Sequence, residues 1–164
     1  MGIEAARMEL QFLLEDYDVK LHQYERIMEV VKSLCRQIPE AEKLIQIKGI
    51  GLTTVAGIFA EVGDIQRFSS PHQLQKLAEL AITENSSGKH KDQTEISRRG
   101  RAHLRVILFR AAMPLVAKNE EIHKLHQYFT TRAENPLKKM QSMIAICCKL
   151  LRVFYAVDIK GCAC

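Results

Sequence analysis

The chain has 164 residues, 47% of them apolar, a net charge of +5 and five cysteines. That length is enough for one domain with a real core, or a small domain plus an extended helix. No apolar run nears the roughly 18 residues of a membrane span, and the opening MGIEAARMELQ lacks the hydrophobic core of a secretion signal. A cytoplasmic protein with reduced thiols and no membrane partner is therefore expected.

The charge is uneven. Residues 1–84 carry a net −4, residues 85–110 a net +5 and residues 111–164 a net +4. An acidic front and a basic back assign contact with a polyanion to the second half.

Residues 1–38 read as one long coiled-coil or linker helix. Ile3, Leu10, Tyr17, Tyr24, Val31 and Ile38 recur every seventh residue, and Ala6, Leu13, Ile27 and Leu34 fill the second seam position, with Lys20 the exception. A heptad pattern of this length without Gly or Pro is the signature of a coiled coil, here a homo-oligomer. Leu14, Leu21 and Met28 widen the stripe enough for burial against more than one partner helix; the blander alternative is a long helix lying along its own domain. Pro39 ends the helix.

Residues 39–160 read as a helical domain, and residues 161–164 as a tail. Over 40–64 the pattern predicts a short helix, a tight Lys48-Gly49-Ile50-Gly51 turn, and a second helix from Thr53 to Val62 closed by Gly63. Ser70 and Pro71 open the next helix as N-cap and first helical residue, and it runs to about Leu80. Residues 82–97 lack any apolar period and read as a polar loop. Residues 98–118 form an Arg-rich helix with Leu104, Ile107, Leu108, Ala111, Ala112 and Leu115 on one face and a kink at Pro114. Helices over Glu120–Ala133 and Leu137–Val157 follow, separated by Asn135-Pro136. The expected fold class is all-α.

Cys35, Cys147, Cys148, Cys162 and Cys164 make an odd count. Cys147 and Cys148 read as buried apolar thiols and the last two as a frayed terminus; no metal-ligating set is expected.

Two constellations carry chemistry. The first, Ile47-Lys48-Gly49-Ile50-Gly51-Leu52-Thr53-Thr54-Val55-Ala56, resembles a helix-hairpin-helix motif. Its glycines, Gly49 and Gly51, let backbone N–H groups at the start of the second helix approach a phosphate, and Lys48 adds a charge. Such turns also serve purely as packing elements. The second is the stretch from Asn85 to Arg110, with seven Lys/Arg against two acids. It opens on Ser86-Ser87-Gly88, and Lys89, Lys91, Arg98, Arg99, Arg101 and Arg105 follow. Clustered guanidinium and ammonium groups suit the backbone of DNA. An exposed serine among them suits attack on phosphorus, although loop serines are most often caps or turns. His90 and His103 are candidate proton-transfer partners, with a solvated loop histidine and a packed helix histidine as the plainer readings.

Taken in order, the Gly49-Ile50-Gly51 hairpin, Glu61-Val62-Gly63-Asp64-Ile65-Gln66-Arg67-Phe68, Ser87-Gly88, Ile96-Ser97-Arg98-Arg99-Gly100-Arg101 and Leu104-Arg105 resemble the C-terminal transposase domain of the insertion-sequence 110 family, the Piv-type or bridge-RNA-guided recombinases. The resemblance covers about Ile38 to Lys160, and the preceding heptad helix resembles the segment that links this domain to the front of such proteins. It implies a nucleophilic serine that attacks a DNA phosphodiester and forms a transient phosphoserine link, with a guide RNA choosing the sites. The matching position is Ser87; Ser86, then Ser97, are its rivals. The resemblance also implies an N-terminal RuvC-like domain carrying metal-binding acids, for which this chain has no room. No cofactor is thus expected in this chain, a divalent metal such as Mg belongs with the missing domain, and the chain alone is expected to be inactive. A non-catalytic nucleic-acid-binding module and an oligomerisation partner of a full-length transposase are the alternatives. One departure is Glu79, where members usually carry a glycine.

Overall fold

The computed structural model describes residues 2–80, 86–87, 90–91 and 100–160, with residues 86, 87, 90, 91 and 160 described by backbone alone. Among these residues the fold is all-α, as the patterning predicts, with seven α-helices, one 3₁₀ turn and one two-residue strand pair. Two compact units divide it, Met1–Ile38 and Pro39–Cys164.

The first unit is α1, Gly2–Arg36. Its apolar stripe lies open: Leu10, Leu13, Tyr17 and Ile27 are each more than 60% exposed. Within the unit, the helix is long because nothing in it breaks the ladder. Its last residues turn out through Gln37 N–H to Leu34 O at 3.0 Å and Ile38 N–H to Cys35 O at 3.1 Å.

The second unit begins with α2, Pro39–Ile45, so Pro39 opens a helix as well as ending one. A turn leads to α3, Leu52–Val62. Gly63, at φ +70°, stops it, and its N–H bonds Phe59 O at 2.7 Å. The 3₁₀ turn Ile65–Arg67 is capped by Asp64, whose Oδ1 accepts from Gln66 N–H at 2.9 Å. Helix α4, Pro71–Leu77, starts at the predicted Ser70-Pro71 pair but ends three residues before Leu80. The strands β1, Ser86–Ser87, and β2, His90–Lys91, pair antiparallel inside the stretch read as irregular loop. Helix α5 spans Ala102–Lys118, α6 spans Glu120–Thr131 and α7 spans Lys139–Lys160.

The core is built on α5 and α7. Leu104, Leu108, Ala111, Ala112 and Leu115 of α5 are buried on one face, at positions the helical period marked in advance. Ile146, Leu150, Leu151, Phe154 and Val157 of α7 pack from another side, and Val55, Ile58 and Val62 bring α3 onto α5. Gly57 makes that approach close: a Cβ there would stand 3.0 Å from Ile107 Cδ1. Asn119 caps α6, its side chain accepting from Glu121 and Ile122 N–H, and His126 Nδ1 meets the buried Ser142 Oγ at 2.8 Å to join α6 to α7. Cys147 is buried and Cys148 half-buried, both as free thiols. The tail, residues 161–164, lies outside the described residues.

Candidate nucleic-acid interface

The hairpin turn separates two glycines that the sequence treats alike. Gly49 has φ +103°, and a Cβ on it would lie 3.0 Å from both Leu115 Cα and Pro114 O. The close approach at this residue is to the backbone of α5, and only glycine satisfies both the dihedral and the space. Pro114 and Gly49 thus form one packed junction, with the neighbouring Ile50 buried. Gly51 differs. Its φ and ψ, −108° and 165°, suit any residue, and a Cβ there would meet nothing within 4 Å. It is the N-cap of α3, offers no side-chain cap, and no acid follows in the first turn. Thr54 and Val55 N–H bond back to Gly51 O. The first α3 amides therefore sit beside open space at the positive end of a helix, a setting that favours an anion. Lys48 is exposed on the same turn.

The second constellation starts from how α4 ends. Glu79 N–H bonds Lys76 O and Leu80 N–H bonds Gln75 O, each at 2.9 Å, the paired bonds of a Schellman cap. Glu79 occupies the left-handed position of that cap, at φ +48°. This accounts for the departure noted above: the cap favours glycine, and here a glutamate takes the strained place. Its carboxylate lies 3.8 Å from Arg105 Nη1, with both side chains largely buried.

The chain returns at Gly100. A Cβ there would stand 2.5 Å from Glu79 Cγ and 2.7 Å from Leu77 O, so glycine is required by contact. Arg101 N–H then bonds Leu77 O at 3.1 Å. The serine-bearing segment thus leaves and re-enters the fold at one stapled point, between the end of α4 and the start of α5. Arg98 and Arg99, read as part of the Arg-rich helix, lie outside the described residues, and that helix begins at Ala102 because the backbone of Arg101 is extended and bonded to α4.

At this point Arg101, His103 and Arg105 gather with two acids. Arg101 Nη1 donates to Glu61 O and lies 3.6 Å from Glu61 Oε2, while remaining half exposed. His103 Nδ1 meets Glu61 Oε1 at 2.7 Å, and its ring stays largely in solvent. Arg105 also donates to Ala78 O at 3.3 Å. The sequence did not reveal these partners. Glu61 stands 40 residues from Arg101, and nothing local marks it as a counter-ion. Glu61 now holds the place beside the α5 N-terminus where an anion gains most. Of the two described arginines here, Arg101 stays half exposed and Arg105 is turned inward as a clasp on α4.

Ser87 pairs through its backbone with His90, and Ser86 with Lys91. The side chains of these four, and Lys89 and Ser97 entirely, lie outside the described residues. Among the described residues no group of three His, Cys, Asp or Glu is arranged to hold a metal. None of the helices searched is long and apolar enough to cross a membrane.

Burial raises the Cys147 thiol from its ordinary value to about 12, helped by the neighbouring Cys148. Burial, then the charges of Glu40 and Asp64, push the Asp158 carboxyl up.

These elements define an all-α domain built on a glycine-turn helical hairpin and on an α4–α5 junction held at Gly100 and Arg101. The chain belongs to the transposase IS116/IS110/IS902 family, whose match covers residues 41–127. It is similar to the transposase for insertion sequence element IS1111A of Coxiella burnetii, 31% identical over 88 residues, which is 54% of this chain and 24% of that protein. It is also similar to the pilin gene-inverting proteins of Moraxella bovis and Moraxella lacunata, each 38% identical over 120 residues, 71% of this chain and 36% of theirs. The chain therefore spans about a quarter to a third of the length of these relatives.

Proposed function

We propose that this chain is the DNA-contacting, serine-bearing part of a DNA recombinase. In this reading Ser87 Oγ attacks a phosphodiester, an Oγ–P bond forms as a P–O ester bond breaks, and the phosphoserine link is later reversed by a DNA hydroxyl. The charge of the transition state is met by Arg101 and by Lys89, Lys91, Arg98 and Arg99. What supports the reading is membership of this family together with the basic start of α5, where Gly100 and Arg101 are held against Leu77.

The acids that bind a divalent metal belong, on this reading, to a RuvC-like domain outside this chain, and a guide RNA selects the sites. Alone, the chain binds DNA in the cytoplasm without cutting it. The open heptad stripe of α1 favours a further role in self-association, since Leu10, Leu13, Tyr17, Tyr24 and Ile27, each more than half exposed, gain by burial against a second copy.

Replacing Ser87 by Ala in a complete recombinase tests the proposal. Strand exchange is expected to vanish while DNA binding stays intact, and Ser86→Ala is expected to keep both. Full exchange by the Ser87 variant removes that residue from the chemistry.

A further inference from the structure

The far end of α5 carries a second cluster that the charge analysis did not find. Lys43 from α2, Lys48 from the hairpin turn and Lys118, the last residue of α5, line one open groove of about 460 Å³ together with Gln46, Glu120 and Glu121. Lys43 and Lys48 belong to the acidic front of the sequence, where the hairpin with Lys48 was read as a phosphate contact and Lys43 was not. Folding joins them to the basic back. We propose that this groove is a second seat for a phosphodiester backbone, that of duplex DNA. The inference rests on the reading of the chain as DNA-contacting.

Three observations carry it. The groove is shallow and edged by ammonium groups on flexible stems, which suits point-charge contact with a passing backbone and not enclosure of a small molecule. It also adjoins the exposed turn that leads to the uncapped start of α3, so Lys48 is shared between the groove and that amide end. Finally, the 17 residues of α5 set its distance from Arg101, about 25 Å at 1.5 Å per residue. That span equals about seven base-pair steps of duplex, under one helical turn, so one DNA segment lying along α5 reaches both ends. The two glutamates offset part of the charge and keep the seat weak, as suits a contact that positions the duplex.

Fluorescence anisotropy of the full 164-residue chain with a labelled 30-base-pair duplex, from 50 to 300 mM salt, tests the proposal. The triple variant K43Q/K48Q/K118Q is expected to bind roughly tenfold or more weakly at 100 mM salt, alike on unrelated sequences, and to lower the slope of log K against log salt by about 2 to 3. The double variant E120Q/E121Q is expected to bind several-fold more tightly, a gain that misfolding does not produce. An unchanged slope and affinity in the triple variant overturns the groove while leaving the DNA-contact reading in place. A wild-type chain without salt-dependent binding overturns both. An RNA hairpin serves as the second arm: if the substitutions weaken RNA binding and leave the duplex untouched, the assignment to duplex DNA is wrong.

Discussion

Substituting alanine for each glycine of the hairpin separates two jobs that look alike in sequence. At Gly49, alanine must adopt φ +103° and place Cβ 3.0 Å from Leu115 Cα and Pro114 O. The left-handed conformation costs about 1–2 kcal/mol, and forcing a methyl against helix backbone adds about 1–3 kcal/mol. A loss of about 3 kcal/mol is expected, a large share of the 5–15 kcal/mol that holds a domain together. At Gly51 the backbone is extended and a Cβ meets nothing within 4 Å. There the reduced freedom of the unfolded chain and the poorer N-cap oppose each other, each below about 1 kcal/mol. Urea unfolding of the full chain, followed by far-UV circular dichroism, reads both. With a slope of about 2 kcal/mol/M, the Gly49→Ala midpoint falls by more than about 1 M and the Gly51→Ala midpoint by less than about 0.5 M. Binding of a DNA duplex runs the other way: Gly51→Ala weakens it at unchanged stability. Equal midpoints for the two variants refute the argument that Gly49 exists for its fit against α5.

Other outcomes follow from the same structure. Gly100→Ala destabilises by more than about 2 kcal/mol because its methyl collides with Glu79 Cγ and Leu77 O; in a Glu79→Gly background the cost shrinks without vanishing, and an additive double-mutant cycle contradicts the stapled geometry. Cys147, raised to about 12, stays unreactive toward a thiol reagent at pH 8 until the chain unfolds, which peptide mass mapping checks. Its neutral form favours the fold, so that contribution is intact below about pH 9 and is lost as pH rises toward 12. Asp158→Asn stabilises the fold at pH 7, since burial and then Glu40 and Asp64 disfavour the charged carboxyl; the gain fades as pH falls through the carboxylate range, and a pH-independent difference counts against this cause. Replacing Leu13 and Tyr17 of α1 by Asp is expected to abolish self-association in sedimentation equilibrium. A wild-type chain that stays monomeric across concentration contradicts the coiled-coil reading.

The parts of this fold that sequence made legible are those set by local pattern. The buried face of α5 follows from the spacing of Leu104, Leu108, Ala111 and Leu115, and the start of α4 from Ser70 and Pro71. What stayed hidden depends on residues that meet only after folding. Nothing near Gly49 says that its missing side chain makes room for Leu115. Nothing near Arg101 or Arg105 names Glu61 and Glu79 as their counter-ions, so a row of arginines reads as uniformly free for phosphate when two are already engaged. The departure at Glu79 was visible in sequence but its reason was not: the residue stands at φ +48°, a conformation set by the cap of α4. Lys43, Lys48 and Lys118 form one patch only because α5 carries its last residue back to the hairpin.

The serine chemistry is tested most directly by trapping the covalent intermediate. A complete recombinase bearing this chain's sequence, quenched in denaturant during reaction on its DNA and digested with nuclease and trypsin, yields the peptide Leu77–Lys89, which holds both Ser86 and Ser87. The account predicts a nucleotide mass on that peptide, with fragmentation placing it on Ser87. Active turnover with the adduct on another residue, or with none on this peptide, contradicts it.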